Sequence, residues 1–288
     1  NSERRVDHVW IKESPIFTTG LKALEVSHGL FMNWSQEDKD SAVCARVNQL
    51  LVVAEHNTDM FRDRLPKSIN SLSELDSLPI LDRQGFTNFM NPETGLGFAA
   101  GFDEGDEWVV SQSGGTSTGN PTKTRRVRRE FISACERTSP WFVGLLQNQR
   151  LWSVIYEAGK PVFQPIWDGV PGLTVELGKD ESVEQVFDRL KRFQPTVLHG
   201  AARDIFKQIH QLGELKRDGR AALKNISKII FGGEFISPSG KKDLQLILPN
   251  ATFISHFSTS QTGTIGISNP TLSEGIHRLT EDVTHTRI

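Results

Sequence analysis

The alternation of apolar and polar positions is clearest in the second half of the chain. Val183, Val186, Phe187, Leu190 and Phe193 recur at helical spacing, and Ser182-Val183-Glu184-Gln185 ahead of them has the form of a capping box. Thr196-Val197-Leu198-His199 then reads as a short apolar strand after Pro195. Ile205, Phe206, Ile209 and Leu212 predict a helix, and Lys228-Ile229-Ile230-Phe231 a second buried strand closed by Gly232-Gly233. Ser237-Pro238 sets an N-cap before a proline at the first helical position, and Leu244, Ile247 and Leu248 continue that helix. Ala251-Thr252-Phe253-Ile254-Ser255 is a third strand. Short apolar strands alternating with amphipathic helices predict βαβ units and a mainly parallel sheet, hence an α/β fold. In such sheets ligands gather at the loops beyond the carboxyl ends of the strands. That places Ser111–Pro121, His199–Gly200, Gly232–Glu234 and Phe257–Gly263 on one rim.

The first half is less regular. Residues 1–35 carry Trp10, Phe17, Phe31 and Trp34 without periodicity and read as irregular. Val43, Val47, Leu50, Leu51 and Ala54 form the stripe of an amphipathic helix over 42–56. Ser71-Leu72-Ser73-Glu74 fits a capping box that opens a short helix, and Pro79 ends it before an extended piece through Leu81. Residues 91–107 read as loop, Trp108-Val109-Val110 as a strand, and 127–147 as a helix that Pro140 threatens to break. This divides the chain into a helical or irregular region, 1–90, and an α/β core, 91–288.

Lys plus Arg total 33 and Asp plus Glu 35, a net charge of −2, so no global charge favours nucleic acid or anionic membrane. The longest apolar run, Leu50–Ala54, is far short of the ~20 residues of a membrane span. Cys44 and Cys135 form neither a disulfide framework nor a CxxC pair, and no signal-type stretch follows the charged Asn1–Asp7, so a reduced, cytoplasmic protein is expected. No histidine spacing suits structural zinc. Trp141, Trp152 and Trp167 could wall a pocket for an aromatic acid, but large apolar side chains are mostly buried, which favours core packing.

Three segments can carry chemistry. Ser113-Gly114-Gly115-Thr116-Ser117-Thr118-Gly119-Asn120-Pro121-Thr122-Lys123 combines glycines that bring backbone N–H groups close to an anion with hydroxyl donors and a cation. It suits phosphate, although it lacks the Gly-Lys-Ser/Thr of a Walker A loop. Gly232-Gly233-Glu234 ends a buried strand, where paired glycines admit a ligand to the backbone or simply make a tight turn. His256-Phe257-Ser258-Thr259-Ser260-Gln261-Thr262-Gly263-Thr264 clusters hydroxyls and an amide after another strand.

Each segment is unspecific by itself, but their order is not. The loop comes first, Gly-Gly-Glu about 110 residues later, and the hydroxyl-rich segment about 25 residues beyond that. This resembles the adenylate-forming superfamily, most closely its phenylacetate–coenzyme A ligase-like branch, with Ser-Ser-Gly-Thr-Thr-Gly-x-Pro-Thr, Gly-Gly-Glu and Tyr-Gly-x-Thr-Glu in that order. Val47–Leu51 through Phe61-Arg62-Asp63-Arg64-Leu65, then Leu75, Leu78, Pro79 and Asp82, Gln194–Gly200, and His277–Asp282 are similar to further stretches of the branch, so the likeness runs over about 45–285. The resemblance implies the large N-terminal domain of an adenylate-forming enzyme, with mainly parallel sheets flanked by helices. It implies ATP-dependent activation of an aryl or acyl carboxylic acid with release of pyrophosphate, then transfer to the thiol of coenzyme A or of a carrier-protein pantetheine. By position, Ser113, Gly114, Gly115, Thr116, Ser117, Thr118, Gly119 and Lys123 would hold the β- and γ-phosphates. Gly232, Gly233 and Glu234 would line the adenine and acyl pocket. Phe257, with Ser258 beside it, would stack on adenine, and Ser260 would lie near the α-phosphate. Gln261 takes the place of the glutamate that holds magnesium. His199, Gly200, His256, Thr262 and Gly263 would face the acid.

The departures from the pattern are specific. The loop has one more hydroxyl residue, and its customary lysine is Asn120, with Lys123 slightly later. Gln261 is neutral where a carboxylate would bind magnesium better. The family continues past the point matching Ile288 with a ribose-binding aspartate and a small C-terminal domain, so a fragment or a partner-completed enzyme is expected. The same departures support a second reading, a degenerate homologue that serves as a binding or partner-recruiting module. Lys123, Arg125, Arg126, Arg128 and Arg129 allow a third, nucleic-acid contact, against which a solvated helix start near a phosphate site is preferred.

Overall fold

The computed structural model describes residues 28–57, 64–79, 85, 108–112, 123–155, 160–178, 181–214, 221–259, 263–268 and 277–279. The chain divides into two compact units, Val26–Ile132 and a unit containing Ser133–Ile288.

In the first unit, residues 28–32 are helical, where the sequence suggested irregular chain. Helix α1 (Gln36–Asn57) opens on Ser35, whose Oγ accepts from the Asp38 amide at 3.1 Å and donates to the Asp38 carboxylate at 2.6 Å. Val43 and Leu51 are buried as their stripe requires, but Leu50 is 66% exposed. Asn48 pairs with both backbone groups of Ile69, at 2.9 and 2.7 Å, and so pins the following segment to α1. The element at 72–77 is a 3-10 turn, Leu72–Ser77. Its Ser71 makes no side-chain cap; the Glu74 carboxylate instead accepts from the Asn70 amide at 3.3 Å. The extended piece expected after Pro79 falls outside the described residues. Strands β1 (Trp108–Gln112) and β2 (Lys123–Val127) form a separate antiparallel ribbon, with Gln112 opposite Lys123. Lys123–Val127 is thus strand, and the expected helix start falls at Arg128.

The second unit holds most of α2 (Arg128–Leu146), which runs through Pro140 without a break, and a seven-stranded sheet. Its elements are β3 (Arg150–Ser153), α3 (Lys160–Asp168), β4 (Thr174–Leu177), α4 (Val183–Phe193), β5 (Val197–Ala201), α5 (Ala202–Glu214), β6 (Lys228–Gly232), α6 (Pro238–Ile247), β7 (Thr252–Thr259), β8 (Gly263–Ile267) and β9 (Arg278–Leu279). The strand order is β4-β3-β5-β6-β7-β8-β9. The first five strands are parallel, and β8 and β9 add in antiparallel sense. The α/β expectation of a mainly parallel sheet flanked by helices is met. No helix among the described residues is long and apolar enough to cross a membrane.

Strand alternation sorts the sheet into two chemically different faces. Trp152, Leu198, Ile229 and Phe231 point to one face, where they pack with Val186 and Leu190 of α4, Ile205, Ile209 and Leu212 of α5 and Leu244 of α6. Both capping predictions hold on this side. Ser182 accepts from the Gln185 amide and Gln185 answers at the Ser182 amide, and Ser237 accepts from the Gly240 amide at 3.1 Å ahead of Pro238. Arg189 stacks over Trp152 with 4.8 Å to the ring centre and bridges Glu176 at 2.9 Å and Glu181 at 2.6 Å. The other face carries Ser153, His199, Ile230, Ile254 and His256, with aromatic side chains of α2 and α3 against its histidines. Because both faces are covered, β5 and β6 read as continuous apolar runs rather than alternating ones.

Candidate functional site

The parallel register brings three of the sequence-predicted segments together. Ala201 at the end of β5 lies opposite Gly232 at the end of β6, and Gly232 lies opposite His256 on β7. His199–Gly200, Gly232–Glu234 and His256–Phe257 therefore share one carboxyl edge of one sheet.

The two glycines of Gly232-Gly233-Glu234 are required by geometry. A Cβ on Gly232 would stand 2.8 Å from the His256 carbonyl oxygen, a backbone atom that cannot swing away. Gly233 has φ of +75°, the left-handed region that glycine enters without steric cost. The turn carries Glu234, which is exposed, back over the adjacent strand, where Oε2 accepts from the Arg203 amide at 3.2 Å. Gly200 is fixed from the opposite side, since a Cβ there would overlap Val154 in the core.

His199 and His256 differ in kind from the exposed residues of this edge. Both are buried, at 5% and 3% exposure. His199 Nδ1 lies 3.2 Å from Ser153 Oγ, and His256 Nε2 lies 2.9 Å from Thr264 Oγ1. Phe163 and Trp167 of α3 meet His199 edge-on at 4.8 and 5.5 Å, and Phe142 of α2 meets His256 edge-on at 5.3 Å. Loss of hydration pushes both imidazoles down, His199 to about 3 with a further contribution from His256, and His256 to about 4 with one from His277. Hydroxyl partners suit neutral imidazoles, because a hydroxyl can donate or accept. Of the three tryptophans, Trp152 and Trp167 are buried; Trp152 sits in the core with its Nε1 donating to Gln208 at 2.9 Å, and Trp167 stands against His199.

The third segment is less of a loop than its composition suggests. β7 continues through Thr259 because β8 returns beside it, pairing Thr259 with Gly263. His256, Phe257 and Ser258 are strand residues, and Phe257, 50% exposed, sits at an irregularity of the pairing. Ser260, Gln261 and Thr262 join the hairpin and lie outside the described residues, as do Ser113, Gly114, Gly115, Thr116, Ser117, Thr118 and Gly119. The Ser113–Thr122 segment connects β1 to β2, so the Gln112–Lys123 pair holds its two ends together. β1 belongs to the separate ribbon and not to the large sheet, which corrects the placement of all four segments at the edge of one sheet. Among the described residues no group of His, Cys, Asp and Glu could hold a metal ion.

No family model and no curated protein matches the chain. Solved structures do. The 2-hydroxyisobutyryl-CoA ligase with 2-HIB-AMP and CoA, in its thioesterification state, matches with a TM-score of 0.68 at 13% identity, over 82% of this chain and 52% of that one. The same ligase in an open conformation gives 0.65 at 12% identity, over 80% and 52%. The chain has the fold of an adenylate-forming N-terminal domain. It spans about half the length of these structures. At this identity the likeness concerns architecture, and the chemistry rests on the residues.

The sequence reading missed the partners of the buried histidines: Ser153, Thr264, Phe142 and Phe163. Period-two alternation was the available signal, since His199, Ala201, Gly232 and His256 fall on one face once the register is known. The contact between Glu234 and Arg203 had no sequence signal.

Proposed function

We propose that this chain activates a carboxylic acid with ATP. The acid oxygen attacks the α-phosphorus, pyrophosphate leaves, and the acyl-adenylate passes to a thiol, whose sulfur replaces AMP at the acyl carbon. The observation that carries the reading is the convergence of Gly232-Gly233-Glu234 with the His256–Thr259 strand at one carboxyl edge, within an adenylate-forming fold. Gly233, with open space where a side chain would stand, leaves this edge accessible to adenine, and the exposed ring of Phe257 offers a stacking surface.

In this reading Ser113–Gly119 and Lys123 hold the β- and γ-phosphates. The pairing of Gln112 with Lys123 supports it, because it sets Lys123 in the chain position that closes the glycine-rich segment. The reaction needs stabilised charge on the phosphates more than a side-chain nucleophile, and backbone N–H groups with one lysine supply that kind of stabilisation. Ser260 and Gln261 would approach the α-phosphate from the β7–β8 hairpin. Gln261, neutral where a carboxylate would bind magnesium better, would be a weak ligand, so magnesium would be held chiefly by the nucleotide's own phosphates. The phenylacetate ligase-like branch, coenzyme A or a carrier pantetheine as acceptor, and a cytoplasmic setting complete the proposal. The sequence motifs support the branch. The CoA and 2-HIB-AMP named with the matched ligase are in keeping with the chemistry.

The test is ATP–pyrophosphate exchange with a panel of aryl and aliphatic acids. Exchange that depends on one class of acid is expected, and weaker exchange in Lys123→Ala. Exchange absent with every acid, from folded protein that also binds no ATP, would overturn the proposal.

A further inference from the structure

Helix α5 begins at Ala202, directly after the last residue of β5, Ala201. The first turn of any helix leaves backbone N–H groups without intrahelical partners. A serine, threonine, asparagine or aspartate at the N-cap normally satisfies one of them. Ala201 has no side-chain oxygen, so this helix cannot be capped from its own lead-in. The missing oxygen comes from 31 residues away: Glu234 Oε2 accepts from the Arg203 amide at 3.2 Å. A carboxylate there also complements the positive end of the helix.

The same tripeptide is constrained on its other side. Gly232 lies too close to the His256 carbonyl for any side chain, and Gly233 turns through a left-handed conformation. The path of Gly232–Gly233 is thus held at β7 by contact and at α5 by the glutamate beyond it. We propose that Glu234 is a positioning residue: by holding the Arg203 amide at the start of α5, its carboxylate sets the path of the Gly232–Gly233 backbone across the carboxyl ends of β5 and β7. This rests on reading that backbone as the wall against which the nucleotide lies. Glu234 then acts through the main chain and touches no reacting atom.

The experiment compares Glu234→Ala and Glu234→Gln with the unaltered chain in calorimetric titrations with magnesium ATP, and follows exchange of the Arg203 amide by NMR. Glu234 is exposed, so neither substitution opens a cavity. Ser182→Ala, which removes the cap of α4 on the Gln185 amide, is the control for loss of a cap as such. Glu234→Ala is expected to speed Arg203 exchange and weaken ATP about fivefold, the equivalent of one lost cap bond. Glu234→Gln keeps an acceptor oxygen and is expected to restore both, and Ser182→Ala is expected to leave ATP affinity unchanged. If Glu234→Ala binds ATP as the unaltered chain does, or Ser182→Ala weakens it equally, the positioning role is overturned. If the unaltered chain binds no ATP, the functional reading fails first, and protection of the Arg203 amide still reports whether the cap exists.

Discussion

Acidification is the perturbation whose effect follows most directly from the structure. His199 and His256 are buried as neutral imidazoles and held well below the usual histidine value, His199 at about 3 and His256 at about 4. In the unfolded chain both take up protons near pH 6.5. The folded values are depressed and the groups are bases, so between the folded and unfolded values the unfolded state binds more protons. Stability is therefore complete above about pH 6.5 and is lost as pH falls toward the folded values. From about pH 8 to about pH 5.5 each histidine contributes a loss of about 1.4 kcal/mol, close to 3 kcal/mol for the pair. Most carboxylates remain ionised in that interval, which isolates the imidazoles. The assay is urea unfolding followed by tryptophan fluorescence at several pH values. Comparison is with His199→Asn, which can keep a bond to Ser153, and His256→Gln, which can keep one to Thr264. Each variant should lose about half of the pH slope. A flat profile for the unaltered chain, or variants that run parallel to it, would show that the imidazoles are hydrated or charge-paired and would refute the reasoning.

Other expectations follow from the same geometry. Gly233→Ala meets no atom within 4 Å but must hold φ of +75°, so it should lower stability by about 1–2 kcal/mol, read from urea midpoints. Gly232→Ala adds a clash with the His256 carbonyl and should cost more and also shift the β7 amide resonances. Leu190→Ala, at the fully buried contact of α4 with the core, should cost about 2–5 kcal/mol, checked the same way. Lys123→Ala should weaken ATP while leaving the melting temperature nearly unchanged.

The parallel sheet was legible because its strands are short apolar runs closed by Pro, Gly or Ser, and its helices carry one-sided stripes. Ser182 and Ser237 announced their helices because N-caps act locally. Ser71 misled for the same reason: the pattern fits, but a 3-10 turn places Glu74, not Ser71, at the free amide. Sequence could not show that β1 leaves the large sheet, because three apolar residues do not specify a partner strand. Nor could it show that His256–Thr259 stays in strand, since that depends on β8 returning alongside. Of the candidate site, the Gly-Gly-Glu turn was visible as composition. Its reasons, a carbonyl on one side and a helix start on the other, are tertiary.

The central claim is that this edge binds an acyl-adenylate. Calorimetric titration with a non-hydrolysable acyl-adenylate mimic, in aryl and alkyl forms, tests it most directly. Saturable one-site binding is expected, much tighter than for AMP, dependent on the acyl group and weakened by Lys123→Ala. Folded protein that binds neither form, or binds them no better than AMP, would contradict it.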